Sequence, residues 1–121
     1  MTGPSSAVRP FDGERDGDAV VAFWRAHGAL GPKRLVSRLP EVLHVAVDAG
    51  GGVAGVSSAS IVRDRRLGAD LWSFRLFVGI EHRRAEVALS LAHAGTAELE
   101  RRWTEGEDRR ASGILWEVES D

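Results

Sequence analysis

The sequence contains no cysteine and no tyrosine. The first absence excludes disulfide scaffolds, thiolate metal centres and cysteine nucleophiles. The second removes the phenolic acid from any proton-transfer scheme. Lysine is almost missing too: 15 of the 16 basic residues are arginine, a bias that reads as compositional. No apolar run approaches the ~18 residues of a membrane-spanning helix. The opening MTGPSSAVRP lacks the basic region and apolar stretch of a signal peptide. Nor is there an excess of charge of one sign, since 16 basic residues meet 18 acidic ones for a formal charge of −2. That balance argues against a nucleic-acid partner. These absences together predict a cytoplasmic domain that engages neither nucleic acid nor membrane.

What is present is ordinary globular material: 121 residues, 43% hydrophobic and 28% charged. One domain with one modest core is expected at this length. Residues 1–6 are small and polar and read as a flexible N-terminus, which leaves 7–121 as a single domain.

Along that domain the apolar period changes several times. AVRPF reads as a short strand, placed at an edge by Pro10. An acidic, glycine-containing stretch from Asp12 to Asp18 runs into AVVAFWRAH, where Val20, Phe23, Trp24 and His27 recur at helical spacing and Gly28 serves as C-cap. A second short helix is predicted from Pro32 to Leu39, started by one proline and ended by Pro40. VLHVAVD and VAGVSSASIV flank Gly50, Gly51 and Gly52 as a hairpin would. The glycines therefore read as a turn, because no helix follows them to hold a phosphate. RDRRLGAD is a charged connection, and LWSFRLFVGI a strongly strand-like run. A long helix is predicted from about Ala85 to Trp103, with an apolar stripe of Val87, Leu91, Gly95, Leu99 and Trp103. ILWEVES is a last strand, with Leu115, Glu117 and Glu119 on one face and Ile114, Trp116 and Val118 on the other. The fold class is α/β with a mixed sheet, in the order β-α-α-β-β-β-α-β. The strand–helix–strand crossover at its end requires parallel outer strands.

That element order, and the segment Leu71 to Leu91 in particular, resembles the GNAT superfamily of acyl-CoA-dependent N-acetyltransferases. In that family a strand exits through a Val-x-Pro-like segment, and an Arg/Gln-x-x-Gly-x-Gly/Ala loop then enters the long helix. Here the stretch reads FVGIEHRRAEVALSL: Val78 matches the strand exit, Arg83 the opening arginine and Ala88 the last small residue. The resemblance implies acetyl-CoA as cofactor, its pyrophosphate held by backbone N–H groups at the helix start. It also implies a splay between the strand and its neighbour, into which the pantetheine arm pairs. The cofactor-binding residues so implied are Phe77, Val78, Arg83, Arg84, Ala85, Glu86, Val87 and Ala88. The acceptor is a small-molecule or protein amine.

Two departures accompany the likeness. Glu86 stands at the first glycine position, where a carboxylate satisfies the helix dipole itself and repels a pyrophosphate. The family continues past the last strand into a further helix and strands, often with a tyrosine acid, whereas this chain stops at Asp121. The expectation is a homodimer that pairs or exchanges C-terminal strands, completing the sheet. The alternative is a non-catalytic GNAT-like module for dimerisation or ligand sensing, without the CoA site and so without a cofactor.

A transferase needs a base and an oxyanion donor. Glu117 on the last strand and Glu81 at the crossover are the candidate catalytic bases, with a backbone N–H near Phe77 and Val78 as the donor. Arg75 lies mid-strand in phase with Ser73 and Phe77, where an unpaired charge is costly. It is expected to face a cleft or a carboxylate, and with Glu119 it forms the candidate substrate-binding pair. His27, His44, His82 and His93 are scattered and lack metal-ligand spacing, so no metal site is expected. The four tryptophans read as core or interface anchors. Ser73 and Ser90 lack the partners of a hydrolase triad.

Overall fold

The computed structural model describes residues 7–28, 31–79 and 84–119, without the side chains of Pro32, Val36, Arg84, Glu117, Val118 and Glu119. The N-terminal six residues, expected to be flexible, lie outside the described residues. The elements follow the order β1 (Ala7–Pro10), α1 (Gly13–Ala26), α2 (Pro32–Arg38), β2 (Val42–Val47), β3 (Val53–Asp64), β4 (Ala69–Val78), α3 (Arg84–Thr104) and β5 (Ile114–Glu119). They build one five-stranded mixed sheet in sequential order, antiparallel from β1 to β4 and parallel between β4 and β5. The α/β architecture expected from the apolar periods is the one observed.

Local chemistry explains the boundaries. The Asp12 carboxylate accepts from the backbone N–H groups of Glu14 and Arg15 and so starts α1. Gly28, at φ +62°, turns the chain out of that helix in a conformation that disfavours a side chain. The chain leaves α2 at Arg38, before Pro40 as expected and one residue short of Leu39. A 3₁₀ turn over Leu39–Glu41 carries it into β2, since proline is tolerated in a first turn. In the hairpin loop, the Asp48 carboxylate accepts from Gly50 N–H at 3.0 Å and Gly52 N–H at 2.9 Å. The glycine amides that a phosphate loop would offer are thus occupied locally. The charged connection shrinks to four residues, because Arg63 and Asp64 extend β3 while Ala69 and Asp70 open β4 across from them.

The core has two halves, one on each face of the sheet. On one face Val87, Leu91 and Leu99 of α3 pack on Leu43, Ala46, Trp72, Phe74, Leu76 and Val78. On the other, Val20, Phe23 and Trp24 of α1 and Leu35 of α2 pack on Val42, Val45, Val56 and Phe77. Even-numbered residues of β4 serve the first half and Phe77 the second, as period-2 alternation demands. The apolar stripe of α3 holds through Leu99 but fails at Trp103, which is 45% exposed. Four-residue spacing overshoots a 3.6-residue turn by about 40°, so four steps carry Trp103 about 160° around the helix from Val87. α3 lies across β1 to β4. The flanking strand β5 accordingly shows Leu115 and Trp116, on opposite faces, at 42% and 48% exposure.

Candidate functional site

The carboxyl ends of a parallel strand pair, next to the start of the crossover helix, are the usual ligand position in an open sheet. Here that place is bounded by Val78 of β4, the end of β5 and the first turn of α3. Phe77 is 2% exposed, its ring edge-on to Phe23 and His27 at centroid distances of 5.7 and 5.8 Å. Val78 and Val87 are buried and Ala88 is half-buried in the α3-side core. Ala85 and Glu86 are exposed, with Glu86 in the first helical turn. Glu81, His82 and Arg83 lie outside the described residues, as does the side chain of Arg84.

Among the described residues the splay that the resemblance implies does not occur. β4 and β5 stay in register from Trp72 opposite Ile114 to Phe77 opposite Glu119. Backbone groups on that side of β4 are therefore engaged by β5 over the stretch where a pantetheine arm would need them. Beyond it, Gly79 N–H turns back to the Ala54 carbonyl at 2.9 Å.

On the α1 and α2 side, Ser58 lies opposite Arg75 and Ser60 opposite Ser73. Ser58 and Ser73 are buried, whereas Arg75 is half-buried. Arg75 aligns with Glu117 across the parallel ladder and Phe77 with Glu119. The glutamate side chains are outside the described residues.

Two charged assemblies were not legible in the sequence. Asp16, its side chain 3% exposed, accepts from Arg15 Nη2 at 2.9 Å, Arg9 Nη2 at 2.6 Å and the Asp12 N–H at 3.0 Å. Arg15 above all, then the Asp12 amide and Arg9, holds its carboxyl well below the usual carboxylate range against the opposing effect of burial. This assembly ties β1 to α1. On α3, Glu98 accepts from Arg101 and Arg102, each at 2.8 Å, and is held down to about 2, chiefly by Arg101. Facing that pair, His44 has its imidazole pKa pushed down by burial and by Arg102, with Glu98 opposing. Its Nδ1 is buried and has no partner among the described residues. No cluster of three metal-ligating side chains occurs among the described residues.

Two cavities meet at Trp72, by the C-terminal end of α3. One, of about 240 Å³, is an apolar groove lined by Leu99, Trp103 and Ile114. The other, of about 340 Å³, includes Glu41, Ser60, Arg102 and Arg110 in its lining. The Arg110 guanidinium lies 5.6 Å from the Trp72 ring centroid.

No known protein family's profile matches the chain, and no curated protein matches it. Among solved structures it is similar to an integron cassette protein from the mobile metagenome of V. cholerae. The two are 19% identical with a TM-score of 0.56, over 98% of this chain and 78% of that one. At that identity the likeness bears on the fold alone. Among the described residues no helix is long and apolar enough to cross a membrane.

Proposed function

We propose that this chain is a non-catalytic GNAT-like module that serves for dimerisation or ligand sensing. The observation behind this reading is the unbroken ladder from Trp72–Ile114 to Phe77–Glu119. With that side of β4 engaged by β5, the residues present do not fit an acyl-CoA arm. Glu86 in the first turn of α3 adds a like charge where a pyrophosphate would sit. No transfer step is therefore assigned to Glu117 or Glu81.

The other edge of β5 has no strand beside it among the described residues. An edge of this kind, with Leu115 and Trp116 exposed, favours strand addition. Antiparallel pairing of two β5 strands centred on Trp116 sets Glu117 against Leu115 and Glu119 against Gly113, which keeps like charges apart.

A second reading, an acyl-CoA-dependent N-acyltransferase acting on a small-molecule or protein amine, is favoured by one observation. α3 begins at the carboxyl ends of the parallel pair, where an anionic ligand meets the helix dipole. Calorimetric titration with acetyl-CoA separates the two. The first reading expects no saturable heat up to millimolar ligand, and saturable binding would overturn it in favour of the second. Light scattering at tens of micromolar tests the dimer, with a dimeric mass expected that falls to monomer in Trp116→Lys. A monomeric parent protein would overturn the assembly.

A further inference from the structure

The cavity of about 340 Å³ beside Trp72 lies on the α3 side of the sheet, away from the carboxyl ends of β4 and β5. It forms where β2 begins. Val42 pairs with Ser58, and β3 then runs on to Asp64 paired with β4 alone. Ala59, Ser60 and Ile61, which line the cavity, thus belong to a stretch of strand with one side open among the described residues. Alternate backbone N–H groups on such a side point outward as unused donors.

Two guanidinium groups close the cavity. Arg102 spends only Nε on a protein partner, Glu98 at 2.8 Å, so both of its Nη groups are uncommitted among the described residues. Arg110 is fixed twice, by Asp108 through Nε at 3.0 Å and Nη2 at 2.8 Å, and by stacking over Trp72. Its Nη1 is uncommitted among the described residues. The pairing to Asp108 and Glu98 orients both arginines before any ligand arrives, which lowers the ordering cost of binding. A planar fork with spare N–H donors recognises carboxylate and phosphate oxygens in particular. The lining carries Glu41 as well, an acceptor that suits a hydroxyl or amine elsewhere on the same ligand. The cavity volume is that of a metabolite-sized site.

We propose that this cavity binds a small anionic metabolite, its carboxylate or phosphate group gripped between Arg102 and Arg110 beside the Trp72 ring. The proposal does not depend on whether β5 dimerises or acetyl-CoA binds, so its failure is read separately from theirs.

The test is a titration of the full chain with inorganic phosphate and, separately, with malate, in constant 150 mM sodium chloride. Binding is read by calorimetry and by the indole N–H resonance of Trp72. The expected result is saturable binding of at least one probe with a shift of that resonance. Arg102→Gln and Arg110→Gln should each weaken it about tenfold, the loss of one charge-assisted pair. Arg109→Gln, a loop arginine outside the lining, should leave it unchanged. Binding of phosphate alone or of malate alone identifies which anion the site prefers. No saturable binding of either probe up to tens of millimolar would overturn the proposal. Equal binding by both lining variants, or equal weakening by Arg109→Gln, would overturn it as well. Unchanged circular dichroism and melting temperature in the two lining variants separate lost contacts from lost folding.

Discussion

Gly95 shows how much one hydrogen atom can decide. A Cβ at this position would overlap the edge of the Phe74 ring, so α3 approaches the sheet only because the side chain is absent. Gly95→Ala should therefore lower stability by about 1–2 kcal/mol, overpacking outweighing the roughly 1 kcal/mol gained in helix propensity. Thermal or urea unfolding reads the sign directly, and a stabilised variant would refute the contact. Asp16 makes the opposite case, a buried charge retained because two arginines and an amide satisfy it. Asp16→Asn leaves both arginines without their carboxylate and should cost about 2 kcal/mol of unfolding free energy. Periodicity marked Gly95 as part of an apolar stripe. It gave no sign of Asp16, which reads as an ordinary acid in a helix's first turn.

At the scale of elements, period and punctuation were sufficient for the strands and helices and for the parallel outer pair. They failed where neighbours decide. Trp103 belonged to the stripe by spacing, yet it turns away from the sheet and borders the apolar groove. The splay between β4 and β5 was an implication of resemblance, and the observed register closes it. A measurable consequence follows for the β4 amides that face β5. They should exchange with deuterium as slowly as those facing β3, and excess acetyl-CoA should leave their protection unchanged. Loss of protection confined to Phe74–Val78 on adding acetyl-CoA would mean that β5 peels away, and would return the transferase reading to first place.

For the whole molecule, the carboxyl and imidazole groups displaced from their ordinary values are all displaced downward. Asp16 and Glu98 titrate below the ordinary carboxylate range in the fold. Their stabilisation is therefore complete above an unfolded value near ~4 and is lost as pH falls through the folded values. His44 is also depressed, below an ordinary value near ~6.5. Between its folded and unfolded values the unfolded chain binds the extra proton, so its contribution also disappears on acidification. The melting temperature should fall steadily from pH 7.5 to pH 3. The portion between pH 7 and 5.5 should flatten in His44→Gln, while the acid limb below pH 4.5 remains. A melting temperature that rises on acidification would contradict both assignments.

Composition, spacing and turn residues were enough to determine an α/β fold and its element order. Each of those rests on contacts a few residues apart, or on the period-2 and 3.6-residue repeats of the chain itself. The closed β4–β5 ladder, the arginine cavity at Trp72 and the Asp16 clamp were decided only by tertiary structure. The first two join segments dozens of residues apart, and the clamp sets β1 against α1. All three depend on which side of an element meets its neighbour, a quantity that no local pattern encodes.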